Sequence, residues 1–195
     1  RILKNVCLTR LKKRKIADFS LDSEDAPPVA AEPNDPSDNA ASLSVLFQFG
    51  EFRFLCCGDL TWNIEGKLMT PNNPIGDVDL FMVTHHGLPT SNNPALVLAV
   101  DPTVTVMCNG PTKGGAEATL KTLHEIKSLK RMYQLHQNVK LDPKLQAPAK
   151  HIANFGSTES CKGEWVKATV APAGDAFVMQ IGPQGKTTAF ATRKR

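Results

Sequence analysis

The sequence predicts an α/β fold, in which strands and helices alternate along the chain and pack in layers. Three observations support this prediction: a β-hairpin pattern around Gly50-Glu51, alternating apolar strands and short helices over 61–129, and three short strands near the carboxyl end. The chain has 195 residues, 41% of them apolar, with 23 Lys+Arg and 19 Asp+Glu. This composition is typical of a globular domain that is large enough to bury its own core.

The N-terminal segment differs in composition from the rest of the chain. Residues 1–15 carry seven basic and no acidic side chains, whereas residues 16–38 carry seven acidic and no basic ones. Residues 22–41 are rich in proline and poor in large apolar side chains, so we expect a linker-like segment. The basic part could contact nucleic-acid phosphates, although a solvated terminus resting on the acidic stretch is the simpler interpretation.

Several classes of protein are excluded by simple patterns. No run approaches the roughly 18 uninterrupted apolar residues of a spanning helix, so we expect no membrane span. The basic start lacks the apolar segment that follows the charged part of a signal peptide, and the sequence indicates no particular compartment. Its five cysteines include no C-x-x-C pair, which excludes a zinc ribbon.

The first elements of the compact region are predicted from side-chain alternation. Residues 43–49 and 52–57 alternate in period 2 around Gly50-Glu51, which is typical of a hairpin with a tight turn. A loosely helical stretch follows over 61–69. Residues 78–84 are almost continuously apolar or β-branched, as expected of a strand that is covered on both faces.

The following elements repeat this alternation of helix and strand. Asn93 is a favourable N-cap and Pro94 a favourable first helical residue, so a short helix is predicted to extend to Val100. Residues 103–108 predict another buried strand, and an amphipathic pattern predicts a helix over 116–129.

The C-terminal third is predicted to be a polar connector followed by a β-meander. The connector is expected over 132–160, and Gly- and Pro-containing turns separate three short strands over 165–170, 177–181 and 187–191. The predicted organisation is a linker-like segment over 1–41, an α/β region over 42–160, and strands over 161–195 that complete the same domain and end in a basic tail.

Polar side chains directly follow the predicted strands. Asp59 follows the hairpin, His85 and His86 follow the strand over 78–84, and Asn109 follows the next strand. Carboxyl ends of strands are where open α/β sheets build sites. A carboxylate can bridge two divalent ions, and neutral imidazole is a favoured zinc ligand. These residues are candidates for a metal site, although an aspartate after glycine is more often only a turn or a helix cap.

The stretches FLCCGDLTW, DLFMVTHHG and NGPTKGG together resemble the C-terminal half of a metallo-β-lactamase-fold hydrolase. The similar branch includes the hydrolase-like domain of bacterial competence DNA-uptake proteins, and the resemblance covers about 80 residues, Leu43 to Leu123. It implies half of an αββα sandwich, two divalent metal ions such as zinc, and hydrolysis of an ester, phosphoester or lactam-type bond. By this resemblance Asp59 would bridge the metals, and His85 or His86 would be the last histidine ligand.

The same resemblance suggests where substrate would bind. The loop over 109–115 occupies the position at which relatives in this family approach a small-molecule or phosphoester substrate. Asn109 could donate hydrogen bonds there, and Lys113 could attract an anionic group, although a solvent-exposed turn explains Lys113 equally well. The loop does not match the pattern G-x-x-x-x-G-K-[ST], which excludes a P-loop.

The sequence departs from the family because it contains no H-x-H-x-D-H signature. Its remaining histidines are His124, on the predicted amphipathic helix, and His136 and His151, in the predicted connector. A catalytic zinc usually has three protein ligands. We therefore expect the chain to bind metal weakly and to hydrolyse poorly, unless a missing N-terminal half or a partner chain completes the site.

Two other interpretations are compatible with the sequence. The same layers without metal could serve as a non-catalytic interaction module, binding nucleic acid through the basic N-terminal arm or a partner through the C-terminal strands. A cysteine nucleophile at Cys56 or Cys57 is a third hypothesis. It is less favoured, because neither cysteine has a recognisable histidine partner and strand cysteines are usually packing residues. The two adjacent cysteines are expected to point to opposite faces of the strand, so a bond between them is not expected.

Overall fold

The computed structural model describes residues 38–157 and 161–195. Within these ranges the chain forms two sheets and three α-helices, so the α/β prediction is confirmed. The strands are β1 (Val45–Phe49), β2 (Phe52–Cys56), β3 (Leu80–Met82), β4 (Val104–Met107), β5 (Arg131–His136), β6 (Ile152–Asn154), β7 (Val166–Val170), β8 (Ala176–Ile181) and β9 (Thr188–Ala191). The helices are α1 (Trp62–Leu68), α2 (Pro94–Ala99) and α3 (Glu117–His124).

The larger sheet contains six strands in the order β1-β2-β3-β4-β5-β6. β1 and β2 form the predicted antiparallel hairpin, and every later neighbour pairs in parallel. The smaller sheet is the predicted meander β7-β8-β9, antiparallel throughout. Because β2 to β6 run in the same direction, their carboxyl ends share one edge of the larger sheet.

The larger sheet lies between the helices and the smaller sheet. Its side chains on one face, such as Leu55 and Phe81, pack in a core with Leu96 of α2 and Leu120 of α3. The opposite face packs in a second core against Phe177 of β8. The order of layers is therefore helices, six-stranded sheet, three-stranded sheet, which is how a sheet with two apolar faces is buried on both sides.

Two predicted elements are shorter than expected. The strand predicted over 78–84 is hydrogen-bonded as a strand only at Leu80–Met82, and a 3₁₀ turn at Thr84–Gly87 follows it. The helix predicted over 116–129 ends at His124. Four residues beyond it, the Asp101 carboxylate accepts hydrogen bonds from the Ser128 N–H and hydroxyl, at 3.0 and 2.6 Å, and thereby holds the non-helical segment that follows α3.

The prediction of a polar connector over 132–160 is wrong, because β5 and β6 lie within it. Gln134 of β5 is fully buried, and its amide oxygen accepts from the Ala147 N–H. Gln146, also buried, accepts from the Asn138 N–H at 2.7 Å. Because each of these buried amides has a hydrogen-bond partner, a polar stretch of sequence can form part of the protein interior.

The linker-like segment predicted over 1–41 lies outside the described residues, except for a 3₁₀ turn at Asp38–Ala41. The proposed domain boundaries stay a prediction. Among the described residues, no helix has the length and apolar character that crossing a membrane requires.

Candidate functional site

Asp59 and His86 meet at the carboxyl edge of the larger sheet. The Oδ1 atom of Asp59, in the turn after β2, lies 3.8 Å from the Nε2 atom of His86, in the turn after β3. The side chain of His86 is 21% exposed and that of Asp59 41% exposed, so the pair is accessible from solvent. The two strand ends thus bring these side chains together, and His86 is the histidine that faces the carboxylate.

The turn that carries both histidines has an unusual backbone. His85 and His86 have φ values of 51° and 57°, and Gly87 follows at 78°. Left-handed conformations are unfavourable for residues with a Cβ atom, so the surrounding structure must hold them. The His85 N–H donates to the Gly58 carbonyl at 2.9 Å, and the Gly115 N–H donates to the His86 carbonyl at 2.9 Å. The turn is thereby fixed from two sides.

The ring of His86 has a defined tautomer when it is neutral. Its Nδ1 atom lies 3.0 Å from the Cys108 carbonyl oxygen, which can only accept a hydrogen bond. Nδ1 must therefore carry the proton, and the lone pair lies on Nε2, the atom that faces Asp59. A backbone carbonyl on one ring nitrogen is the usual arrangement when the other nitrogen binds a metal.

The ring of His85 is oriented by a hydroxyl. Its Nδ1 atom lies 3.1 Å from Oγ of Ser91, and the Ser91 hydroxyl donates to the Leu60 carbonyl at 2.7 Å. Because the hydroxyl has one proton and gives it to Leu60, its oxygen accepts from Nδ1 of His85. The two histidine rings are 6.2 Å apart at their centroids and inclined by 61°, so they point in different directions.

The Asp59–His86 pair favours a cation between its two atoms. A carboxylate oxygen and a neutral imidazole lone pair are both acceptors, so their approach is favourable only when a proton or a metal ion lies between them. Oxygen and imidazole nitrogen are donors that zinc and other divalent ions accept. The donor chemistry therefore fits a divalent ion, with two of the three protein ligands that a catalytic zinc usually has.

A third ligand is not found in the described part of the chain. In residues 38–157 and 161–195, no group of three His, Cys, Asp or Glu side chains has a geometry that could hold a metal ion. The remaining histidines serve local contacts instead. His124 is an exposed residue of α3, as predicted, with Nε2 at 2.8 Å from the Leu145 carbonyl. The prediction that His136 and His151 lie in a connector is wrong. His136 is the last residue of β5. His151 lies directly before β6, and its ring contacts the ring of Tyr133.

The two residues predicted to contact substrate differ in accessibility. Asn109 is 1% exposed, and its amide donates to the His136 carbonyl at 2.7 Å, which ties the end of β4 to the end of β5. Lys113 is exposed, at the tip of a loop that the Gly110 N–H closes by donating to the Lys113 carbonyl at 2.8 Å. The loop thus carries an exposed cation at its tip and uses the buried Asn109 amide as a structural support.

The cysteines near the site are protonated thiols. Burial raises the pKa of Cys57 to about 12 and that of Cys108 to about 11. Burial also raises the pKa of Cys56, whose sulfur lies 3.6 Å from the Met82 sulfur. Cys56 and Cys57 belong to the cores on opposite faces of the larger sheet, as expected. A thiol that resists ionisation is a poor nucleophile, so the geometry does not favour a cysteine mechanism.

Sequence reasoning missed two residues beside the site, Ser91 and Glu65. Ser91 contacts His85, but a serine in a loop carries no pattern that identifies its partner. Glu65 lies in α1 and is fully buried. Its segment WNIEGKL resembles that of an ordinary surface helix, so no sequence signal indicates the burial.

Comparison with known proteins leaves the function open. The chain matches no protein-family model, and no curated protein is significantly similar to it. The assignment of an activity therefore depends on the chemistry of the site.

Proposed function

We propose that this chain supplies part of the active site of a metal-dependent hydrolase of the metallo-β-lactamase type, acting on an ester, phosphoester or lactam-type bond. The observation that carries the proposal is the 3.8 Å approach of Asp59 Oδ1 and His86 Nε2, with Nδ1 of His86 occupied by a backbone carbonyl. A half-exposed carboxylate and an oriented imidazole lone pair at a sheet edge are suited to holding a divalent ion.

The order of layers supports this proposal. Helices cover one face of the larger sheet and a second sheet covers the other, which is the arrangement expected for half of an αββα sandwich. The candidate ligands follow β2 and β3, which are paired in parallel, with Cys56 opposite Met82. Neighbouring parallel strands deliver their terminal residues to one place, and this is where sites form in such sheets.

Each side chain has a distinct part in the proposed site. Asp59 and His86 would hold a divalent ion, and that ion would lower the pKa of a bound water so that it can attack the substrate. Lys113 would attract an anionic group of the substrate. The third ligand would come from a partner chain or from a further segment of the protein, in agreement with the expectation that this chain alone hydrolyses poorly.

The proposal is tested by assaying one probe for each bond class: a nitrophenyl ester, bis-nitrophenyl phosphate and a chromogenic β-lactam. We expect slow hydrolysis of at least one probe that requires added zinc or manganese and is lost with a chelator. Asp59→Asn and His86→Asn should lower that rate by at least about tenfold. Asp175→Asn, an exposed carboxylate in the β7–β8 turn, is the matched control and should retain it.

Two results would contradict the proposal. One is a rate that the chelator leaves unchanged, and the other is equal rates in the wild type and in the Asp59 and His86 variants. Either result would exclude metal-dependent hydrolysis at this pair, and no hydrolysis of any probe would favour a non-catalytic interaction module.

A further inference from the structure

Glu65 is a buried carboxyl group in the layer directly behind the histidine turn. It is 0% exposed, although it lies on a seven-residue helix whose other polar residues are at least partly accessible. Its Oε2 atom accepts a hydrogen bond from the Asn93 N–H at 2.7 Å. Glutamate is rarely buried completely unless its carboxyl group is paired, so the groups around Glu65 determine how its burial is tolerated.

The partner of Glu65 belongs to a short segment, Ser91–Asn93, that is itself buried. All three side chains are at most 3% exposed. Asn93 donates through Nδ2 to the Trp62 carbonyl at 3.0 Å, and its backbone N–H donates to Glu65. The segment is thus attached to the first turn of α1 at two points.

The same segment reaches the histidine turn on its other side. Asn92, at φ 67°, donates through Nδ2 to the carbonyls of Thr84 and Leu88, at 3.0 and 3.2 Å. Ser91 accepts from Nδ1 of His85 at 3.1 Å. The carbonyls of Thr84 and Leu88 flank the two histidines in the chain. Glu65 and His85 are therefore linked through the Ser91–Asn93 segment, which hydrogen-bonds to both.

Three buried polar atoms belong to Glu65 and to the residues around it. Oε1 of Glu65, Oγ1 of Thr84 and Oδ1 of Asn92 have no hydrogen-bond partner of good geometry among the described residues. Burial raises the pKa of Glu65 to about 8, although the Asn93 N–H, the Thr84 side chain and the Asn92 N–H offset part of that rise. A hydroxyl and two backbone N–H groups are donors, so these contacts attach Glu65 to Thr84 of the histidine turn as well as to the Ser91–Asn93 segment.

We infer that Glu65 is a positioning residue, which holds the Ser91–Asn93 segment in place and thereby fixes the ring of His85 in the histidine turn. The inference depends on the proposed function only for the consequence that a displaced His85 disturbs metal binding. The orientation of the ring is a property of the chain itself and can be measured without metal.

The inference is tested with two variants of nearly equal volume. Glu65→Gln retains an acceptor for the Asn93 N–H, whereas Glu65→Met fills the space with no polar group. Ser91→Ala removes the contact to His85 and leaves Glu65 intact. Glu117→Ala, an exposed glutamate of α3, is the control. The readout is the tautomer of His85, from long-range ¹H–¹⁵N NMR of the metal-free full chain at neutral pH.

In the wild type, the Glu65→Gln variant and the control, we expect a single His85 tautomer with the proton on Nδ1. In Glu65→Met and Ser91→Ala we expect averaged ring signals, which indicate a mixture of tautomers. A native His85 spectrum in either of these two variants would overturn the inference, and so would an averaged spectrum in Glu65→Gln. If the spectra follow the expectation while zinc has no effect on any variant, the proposed function fails and the role of Glu65 stands.

Discussion

The Nδ1 atom of His86 donates a hydrogen bond to the Cys108 carbonyl across 3.0 Å, between the turn after β3 and the end of β4. This contact leaves the second ring nitrogen to face the carboxylate of Asp59. A residue that is 22 positions away in sequence thus decides which atom of the histidine is available for a ligand. The same contact makes the chemistry of the pair testable in the absence of any metal.

The first prediction concerns the tautomer of His86. In the neutral ring we expect the proton on Nδ1, since the carbonyl cannot donate. Long-range ¹H–¹⁵N NMR distinguishes the two ring nitrogens directly. A neutral ring with its proton on Nε2 would show that the Cys108 contact is absent in solution, and it would remove the lone pair from the proposed ligand atom.

The second prediction concerns Gly114, which supports the histidine turn by close approach. Its φ is +80°, and a Cβ atom there would overlap the carbonyl oxygen of His86. Gly163 has a similar φ of +68°, but no atom lies within 4 Å of the position of its Cβ. Gly163→Ala should therefore lower the free energy of unfolding only by the cost of placing alanine in a left-handed conformation, about 1 to 2 kcal/mol. Gly114→Ala should lower the free energy of unfolding by clearly more than this, and it should shift the NMR signals of the His86 ring.

Urea unfolding of both glycine variants measures this difference. Equal losses of stability in the two variants, with unshifted His86 resonances in Gly114→Ala, would show that the loop does not press against the histidine turn.

The third prediction concerns pH and the buried Glu65. Burial raises its pKa from 4.5 in the unfolded chain to about 8 in the folded one. The folded state then binds more protons than the unfolded state between these two values, so stability should fall as pH rises through this range. The slope should reach at most about 1.4 kcal/mol per pH unit.

Glu65→Gln should lack this contribution to the pH dependence, because an amide does not titrate. Denaturant unfolding of both proteins from about pH 5 to pH 8 gives the comparison, with the variant gaining stability relative to the wild type as pH rises. Parallel profiles would mean that Glu65 titrates normally in the folded protein.

The fourth prediction concerns the anchoring of the C-terminal residues. The side chain of Asp79 is 0% exposed; its Oδ2 accepts from the Arg53 N–H at 2.9 Å and from Nη1 of Arg195 at 3.2 Å. Arg195→Ala would leave a buried carboxylate with fewer donors, so we expect a loss of about 1 to 3 kcal/mol. Lys194→Ala, at the neighbouring exposed position, should change stability by less than about 0.5 kcal/mol.

Thermal or urea unfolding of these two variants provides the measurement. A loss in Arg195→Ala no larger than that in Lys194→Ala would indicate that the Arg195 side chain does not contribute to the stability of the sheet.

Local patterns predicted the elements whose causes are local. The hairpin follows from alternation around Gly50, whose φ is 57°. The start of α2 follows from Asn93, whose side chain accepts from the Ala95 N–H at 2.9 Å as an N-cap should. The β-meander likewise follows from short apolar runs between turns. In each case the residues that stabilise the element lie within it or next to it.

Elements that depend on distant partners could not be predicted in this way. β5 contains the buried Gln134, whose amide contacts residues 12 and 13 positions further on. The segment after α3 is held by Asp101, 27 positions before Ser128. A pattern within a short window contains no information about such partners, so polar residues there suggested a connector and an apolar repeat suggested a longer helix.

The candidate site was likewise only partly predictable from the sequence. The order of strands was sufficient to bring Asp59 near the histidine pair. The choice between the two histidines depends on the carbonyl of Cys108 and the hydroxyl of Ser91, which become neighbours of the rings only in the folded chain.

The most direct test of the central claim, that Asp59 and His86 are donors to one divalent ion, is a zinc titration followed by the ¹⁵N shift of Nε2 of His86. We expect a saturable shift in the wild type and in Asp175→Asn, and an affinity at least about tenfold weaker in Asp59→Asn. A Nε2 signal that zinc does not move, or that moves with the same affinity in Asp59→Asn, would contradict the claim.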